Sequence, residues 1–112
     1  AHIRREKRER HSRLIDYPIS CDLLSKKIFC GDMVVELTNS EYEICELLLK
    51  NRNSVFSKEK IYTTIYGYDA EGDSSTTITE RVKLIRSKFG KYNIDPIKTI
   101  WGGGYQWEIK EV

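Results

Sequence analysis

The sequence lacks long hydrophobic runs, paired cysteine motifs and any apolar segment near its N-terminus. No apolar stretch approaches the roughly 20 residues that a membrane-spanning helix needs, and the basic start is unlike a signal peptide. The three cysteines, Cys21, Cys30 and Cys45, are an odd number without CxxC spacing, which argues against a disulfide framework and a zinc site. We expect reduced cysteines that pack as small apolar residues, which is typical of a cytoplasmic protein.

Histidine is also scarce, and this bears on catalysis. An enzyme would need a nucleophile–base pair or a set of metal ligands, whereas both histidines, His2 and His11, lie in the N-terminal tail. The sequence therefore predicts no enzyme, no metal and no cofactor. Its 112 residues suit one domain with a tail. The net charge of +2 leaves nucleic-acid binding open, because such binding needs basic residues clustered in one place.

The predicted organisation is a tail, residues 1–16, followed by one domain, residues 17–112. The tail carries six Arg/Lys against three acids and few apolar residues, so we expect a linker. Short apolar runs follow at residues 19–24, 28–30 and 33–37, separated by turn-forming residues. This spacing predicts a small antiparallel sheet.

After the sheet, the hydrophobic period becomes helical. Thr38 and Glu41 have the spacing of a capping box, which predicts a first helix that ends near Asn51. Ser57 is placed to cap a second, shorter helix that Gly67 ends.

The third predicted helix, residues 75–89, has one apolar stripe. At 100° per residue, four side chains fall within about 60° of one another: Ile78, Val82, Ile85 and Phe89. The other side is rich in threonine and serine, and residues 74–91 carry five Lys/Arg against one acid, a net charge of +4. Threonine is a weak helix former, so its abundance favours a face that meets a ligand over an ordinary solvated face. The groove of B-DNA admits such a helix, and its N-terminal amides offer an anion site.

A β-hairpin is predicted after Asp95 and Pro96, with strands at residues 97–101 and 105–109. A phosphate-binding glycine loop follows a strand and opens a helix, whereas the glycines at 102–104 precede another strand. We therefore assign these glycines to a hairpin turn. The aromatic residues beside this turn either pack inward or rest against a DNA backbone or minor groove.

Four segments together resemble the C-terminal effector domain of OmpR/PhoB-family response regulators. They are LTNSEYEICELLL, the Val55-Phe56-Ser57 entry to the second helix, TTITERVKLIRSKF and TIWGGGYQWEI, and the resemblance covers about residues 17–110. It implies an α+β winged helix-turn-helix fold with an N-terminal four-stranded antiparallel sheet, three helices and a C-terminal β-hairpin wing. It also implies sequence-specific binding of double-stranded DNA and transcription regulation, with the third helix in the major groove and the wing at the minor groove.

The resemblance assigns DNA contacts by position. On the third helix the expected contact residues are Thr76, Thr77, Thr79, Glu80, Arg81, Lys83, Leu84 and Arg86. Thr99 and Tyr105 match hairpin positions that contact phosphate, and Tyr66 matches an aromatic near the DNA backbone. Trp101 stands where many members carry an arginine that enters the minor groove. Leu84 stands where a base-contacting arginine often lies, and it could meet a thymine methyl group instead.

The resemblance also implies partners. AHIRRE resembles the last turns of a receiver domain, so residues 1–16 are expected to connect to a missing receiver domain that a cognate histidine kinase phosphorylates. The loop containing Asp69, Glu71 and Asp73 resembles one that meets RNA polymerase in activators, although a merely solvated loop is the alternative. We expect a monomer in isolation and a dimer on DNA, on half-sites about one helical turn apart.

One other class stays open on the sequence alone, which is a winged-helix protein-interaction module that does not bind DNA. Such a module is expected to present an apolar or mixed face on its third helix. The net charge of +4 there favours DNA.

Overall fold

The computed structural model describes residues 12–112, which form a four-stranded sheet, three helices and a C-terminal hairpin. This architecture confirms the α+β winged helix-turn-helix fold expected from the sequence. Within the described residues, no helix combines the length and the apolar character needed to cross a bilayer. The strands are β1 (Arg13–Asp16), β2 (Ile19–Asp22), β3 (Lys27–Cys30), β4 (Met33–Val35), β5 (Ile94–Ile100) and β6 (Gly104–Glu111); the helices are α1 (Asn39–Lys50), α2 (Lys58–Tyr66) and α3 (Ser74–Gly90).

The N-terminal sheet is an antiparallel meander in the order β1-β2-β3-β4. Its register aligns Leu14, Cys21, Ile28 and Val35 in one row, and this row packs on the hydrophobic core. The predicted linker ran to residue 16, but the structure places residues 13–16 in the sheet as its edge strand. The reason is that Leu14 pairs with Cys21 and joins the core despite its charged neighbours. Residues 1–11 of the predicted linker lie outside the described residues.

The first two helices begin and end where the sequence predicts. The Thr38 side chain accepts a hydrogen bond from the Glu41 amide (3.3 Å), and Glu41 accepts one from the Thr38 amide (2.9 Å), which confirms the capping box. Ser57 caps α2 by accepting a hydrogen bond from the Lys60 amide (3.0 Å). Gly67 ends α2 with a φ of 90°, a conformation that favours glycine.

The apolar stripe of α3 faces the core as predicted. Ile78, Val82, Ile85 and Phe89 are each at most 1% exposed. Burying a side chain of this size stabilises a fold by about 1.5–3 kcal/mol, so four such residues fix which face of α3 is left for solvent. The helix starts at Ser74, one residue earlier than predicted, because Asp73 serves as its N-cap. It also extends one residue further, to Gly90.

The hairpin is longer than predicted and is joined to the helices through its backbone. β5 begins at Ile94, and a register irregularity between Asp95 and Ile97 keeps Pro96 within the strand. Phe56, just before α2, exchanges two backbone hydrogen bonds with Tyr105 of β6 (2.8 and 2.9 Å). This bridge holds the hairpin beside α2 and α3.

Candidate nucleic-acid interface

The solvent-facing side of α3 presents most of the residues that the sequence assigned to DNA. Thr76, Thr79, Glu80 and Lys83 are exposed, and Leu84 is 45% exposed. Thr77 and Arg81 are half-buried at the edges of this face. The side of α3 opposite its buried stripe is therefore a convex polar surface with one apolar side chain, as contact with base edges requires.

The first turn of α3 is capped by a carboxylate. Asp73 accepts hydrogen bonds from the Ser75 amide (3.3 Å) and from the Thr76 hydroxyl. The Thr76 hydrogen bond, more than the burial that opposes it, holds the pKa of Asp73 below its ordinary value. The expected anion site at this helix start is thus occupied by the protein's own carboxylate, and the Thr76 hydroxyl is already engaged within the protein.

Arg86 points toward the hairpin, which differs from its expected place in the groove. Its Nη2 donates to the Ile97 carbonyl and to the Thr99 hydroxyl, both at 2.7 Å. Its Nε lies 3.3 Å from an Asp95 carboxylate oxygen, and its guanidinium lies 5.7 Å from the centre of the Tyr105 ring. Arg86 and Thr99, both predicted DNA contacts, therefore bind each other and link α3 to β5.

Tyr105 and Tyr66 also have partners within the protein. Tyr105 is 5% exposed and belongs to the core, whereas the sequence analysis expected a phosphate contact there. It is buried because the bridge to Phe56 draws the start of β6 against the helices. Tyr66, half-buried at the end of α2, accepts a hydrogen bond from Arg81 Nε (3.3 Å). This bond places the Arg81 guanidinium at the border between α2 and α3.

Internal ion pairs reduce the charge that α3 offers to a partner. Lys88 binds the buried carboxylate of Glu41, and Arg86 is paired with Asp95. Of the net charge of +4 counted from the sequence, these two pairs leave +2, carried by the remaining basic residues against one acid: Arg81, Lys83 and Lys91 against Glu80. The positive surface is therefore narrower than the sequence suggested, with Lys83 at its centre.

A groove of about 590 Å³ separates α3 from the hairpin. The N-terminal ends of α2 and α3 and the turn of the hairpin line it. Its walls combine the hydroxyl side chains of Ser57, Ser74, Ser75, Thr79 and Thr99 with the charged side chains of Lys58, Glu59 and Arg86. Trp101 stands on the rim and is 92% exposed, so it is the most exposed large apolar side chain of residues 12–112.

All three acids of the loop between α2 and α3 are exposed, and only one of them has a structural role in capping the helix. Asp69 and Glu71 are exposed beside Tyr68, which is 88% exposed, whereas Asp73 caps α3. The Glu71 carbonyl accepts a hydrogen bond from the Tyr62 hydroxyl (3.1 Å), which fastens the loop to α2.

The cysteines lie in the described residues, and none of the three forms a disulfide. Burial raises the pKa of the Cys21, Cys30 and Cys45 thiols above the ordinary value, so they are protonated at neutral pH. Across residues 12–112, no group of three or more His, Cys, Asp or Glu side chains is arranged to hold a metal ion.

Comparison with known proteins agrees with this geometry. Residues 32–107 match a family described as "Transcriptional regulatory protein, C terminal". The chain is 43% identical over 109 residues to transcriptional regulatory protein SpaR of Bacillus subtilis, an alignment that covers 96% of this chain and 49% of SpaR. The chain thus spans about half the length of the curated relatives it matches.

Two solved structures show the same fold. One is the Klebsiella pneumoniae RstA DNA-binding domain in complex with the RstA box (TM-score 0.71, 16% identity, 87% of this chain and 97% of that one). The other is the response regulator DrrB, a Thermotoga maritima OmpR/PhoB homologue (TM-score 0.74, 24% identity, 93% of this chain and 48% of that one).

The family match covers more than half of the chain, and the identity to SpaR extends over nearly all of it. This family is a class of transcription regulators and not a class of enzymes. The chain therefore belongs to the C-terminal DNA-binding domains of OmpR/PhoB-type transcriptional regulatory proteins.

Proposed function

We propose that this domain binds double-stranded promoter DNA by inserting α3 into the major groove, and that it is the output domain of a two-component response regulator. The observation that carries the proposal is the division of α3 into two faces. Its apolar stripe is at most 1% exposed, and its opposite side presents Thr79, Lys83 and Leu84 to solvent. A helix anchored in this way is the usual element for contacting base edges.

The groove beside α3 is a fitting place for the DNA backbone. The hydroxyl groups of its walls can donate hydrogen bonds to phosphate oxygens. The groove also lies between α3 and the C-terminal hairpin, which is the wing. Lys58, at the start of α2, lines the groove itself. Among residues 12–112 Lys83 has no ion-pair partner, and it adds a positive charge on the exposed face of α3, while Arg81 lies at the edge of that face and donates to Tyr66. In this arrangement Arg86 and Thr99 act by positioning the wing.

A binding titration with matched lysine variants tests the proposal. The probe is a duplex recovered by the unmodified domain from a random DNA pool, and affinity is measured by fluorescence anisotropy at several salt concentrations. Lys83→Ala should weaken binding and reduce the slope of log affinity against log salt by about 0.9, as expected for one lost phosphate contact. Lys27→Ala, an exposed lysine on β3, is the matched control and should change neither quantity. Unchanged binding by Lys83→Ala would reject α3 as the DNA-contacting helix.

Arg86 gives a second, different signature. Its charge is already compensated by Asp95, so Arg86→Ala should weaken binding by releasing the wing while the salt slope stays near that of the unmodified domain. A slope lowered as much as in Lys83→Ala would instead show that Arg86 contacts phosphate.

We further propose that the loop bearing Asp69 and Glu71 meets RNA polymerase. The loop is acidic, so DNA phosphate repels it, and Tyr68 adds an exposed aromatic of the kind enriched in protein interfaces. Asp73 is left out of this surface because it caps α3. Asp69→Asn with Glu71→Gln should leave DNA affinity intact and lower transcription in a reconstituted assay. Undiminished transcription would refute this assignment.

The remaining partners concern the longer protein. The relatives are about twice as long as this chain, and we propose that a receiver domain precedes it and is phosphorylated by a cognate histidine kinase in the bacterial cytoplasm. The domain alone should be a monomer that pairs on two half-sites about one helical turn apart. Sedimentation with and without a two-site duplex tests this, and a tight dimer without DNA would contradict it. We propose no enzymatic activity for the domain.

A further inference from the structure

Trp101 has no partner among residues 12–112, although it carries the largest exposed apolar surface of the hairpin. It is 92% exposed and forms no hydrogen bond, ion pair or ring contact within residues 12–112. An indole of this kind contributes nothing to the core, whereas it supplies large contact area when another molecule covers it.

The backbone beneath Trp101 is held rigidly. The Gly103 amide donates to the Ile100 carbonyl (2.8 Å) and closes a four-residue turn, in which Gly102 has the positive φ of 82° that a type II turn requires. Gly104 follows at a φ of 129° against the Phe56 backbone, where a Cβ would lie 2.0 Å from the carbonyl oxygen. The backbone that carries the indole is therefore tied to the start of α2 next to α3, and little backbone entropy is lost when the indole binds.

The turn of the hairpin carries no charge of its own. Residues 101–104 are Trp-Gly-Gly-Gly, and the hairpin's Lys98 lies 3.4 Å from Glu108. Two physical modes of minor-groove contact exist: a basic side chain drawn by the negative potential of a narrow groove, and an apolar wedge that partly unstacks a base step. The composition of this turn fits the second mode.

We propose that Trp101 is a specificity-determining residue that acts as an uncharged wedge in the minor groove next to the α3 site. The inference rests on the proposed DNA-binding mode. Pyrimidine–purine steps such as TA and CA unstack most easily, and A-tracts are stiff and narrow. The protein should therefore prefer DNA with a flexible step where the wing falls, and should not prefer an A-tract there.

Selection from a random DNA pool tests the preference directly. The unmodified domain should enrich a flexible pyrimidine–purine step at a fixed distance from the sequence that α3 contacts. Trp101→Ala should keep the α3 sequence and lose the flanking step, and Trp101→Arg should shift the flank toward A-tracts. Leu24→Ala is the matched control, since Leu24 is 83% exposed on the turn between β2 and β3, and it should behave like the unmodified domain. The same flank in all four pools would overturn the inference.

Anisotropy titrations on the duplex selected by the unmodified domain separate the wedge from a cationic contact. Trp101→Ala should lose at most about 5- to 150-fold in affinity at an unchanged salt slope, since this is the range for one base–aromatic stack in a single strand and the wedge must also unstack a base step. Trp101→Arg should steepen the slope by about 0.9. A 2-aminopurine at the flanking step should change its fluorescence when the unmodified domain binds and should keep the fluorescence of the free duplex with Trp101→Ala.

The outcomes also separate this inference from the proposed function. Binding by the unmodified domain that is lost in Lys83→Ala, together with full affinity and the same flank in Trp101→Ala, would refute the wedge alone. Failure of the unmodified domain to select any DNA would refute both.

Discussion

Replacing Lys88 by methionine should destabilise the domain more than removing the acid that Lys88 binds. The pair joins α3 to the start of α1. The Glu41 side chain is 2% exposed and accepts hydrogen bonds from Lys88 Nζ and from the Thr38 amide (2.9 Å). Lys88→Met keeps much of the aliphatic stem but leaves a buried carboxylate without its counter-charge. Breaking a buried pair from one side costs about 3–5 kcal/mol, and the surviving Thr38 bond favours the lower end.

Glu41→Gln leaves the Lys88 ammonium group, rather than a buried carboxylate, without its counter-charge. The Lys88 side chain is 31% exposed, so its ammonium group can be hydrated when the carboxylate is gone. Glutamine also keeps an oxygen for the Thr38 amide, and we expect a loss of only about 1–2 kcal/mol. The double variant removes both charges and should be more stable than Lys88→Met alone.

The pH dependence follows from the pKa of Glu41. Burial alone would raise this pKa, but the Lys88 hydrogen bond, the Thr38 amide bond and the Lys88 charge hold it below its ordinary value. In the unmodified domain, the stabilisation is therefore complete above the unfolded-state pKa and is lost as the pH falls through the lower folded-state pKa. In Lys88→Met burial prevails and the folded-state pKa of Glu41 rises. The free energy of unfolding that Lys88→Met loses should therefore be smaller near the ordinary pKa of glutamate than at pH 7.

Urea denaturation followed by far-ultraviolet circular dichroism at pH 7 and near pH 5 measures these differences. Lys50→Met is the matched control, because Lys50 forms an exposed 3.5 Å pair with Glu46 and should change stability by less than about 1 kcal/mol. Equal losses for Lys88→Met and Glu41→Gln, or a Lys88→Met loss that is the same at both pH values, would refute the reasoning.

Three further variants test the core and the hairpin. Gly104→Ala should lower the melting temperature sharply, because its Cβ would lie 2.0 Å from a backbone oxygen. Gly102→Ala is its control and should cost only about 1 kcal/mol, because a Cβ there meets open space. Equal effects of the two substitutions would contradict this packing argument. Phe89→Ala should cost about 3–5 kcal/mol in urea denaturation, since Phe89 is fully buried, and a loss below 1 kcal/mol would be inconsistent with that burial. Trp107→Phe should cost about 1–2 kcal/mol by removing the 2.9 Å bond from its indole to Asp16, which an unchanged urea midpoint would disprove.

Local patterns predicted the helices and the orientation of α3 because the forces involved act over a few residues. The capping box at Thr38 and the stripe ending at Phe89 both follow from side chains within one or two turns of each other. The sequence did not predict the edge strand β1, because Leu14 is the apolar residue of its four that packs against the core and this gives only a weak local pattern. The strand forms by pairing with β2, which a local pattern does not show. The charge of residues 13–16 predicted that they are polar, but it could not show that they pair with a neighbouring strand.

The site was less predictable than the fold, since its key contacts join distant residues. Lys88 and Glu41 are 47 positions apart, and the sequence contains no signal that pairs them. Arg86 has the helical position of a groove residue, yet the hairpin folds back and supplies Asp95 and Thr99 as its partners. Position on a helical wheel shows which way a residue leaves the helix, and not which other element it meets.

These pairs change how the domain must distinguish one DNA sequence from another. A charge of +4 spread along residues 74–91 would give strong attraction to any duplex, because phosphate contacts carry no sequence information. The folded protein uses two of those charges to hold its own elements together, and it retains Lys83 among hydroxyls and Leu84 on the exposed face. Nonspecific attraction is thereby reduced, and shape-dependent contacts make a larger share of the binding free energy. Arg86 and the Phe56–Tyr105 bridge both fix the hairpin beside α3, so in the proposed binding mode the contacts of the helix and of Trp101 must be satisfied at one spacing on the duplex.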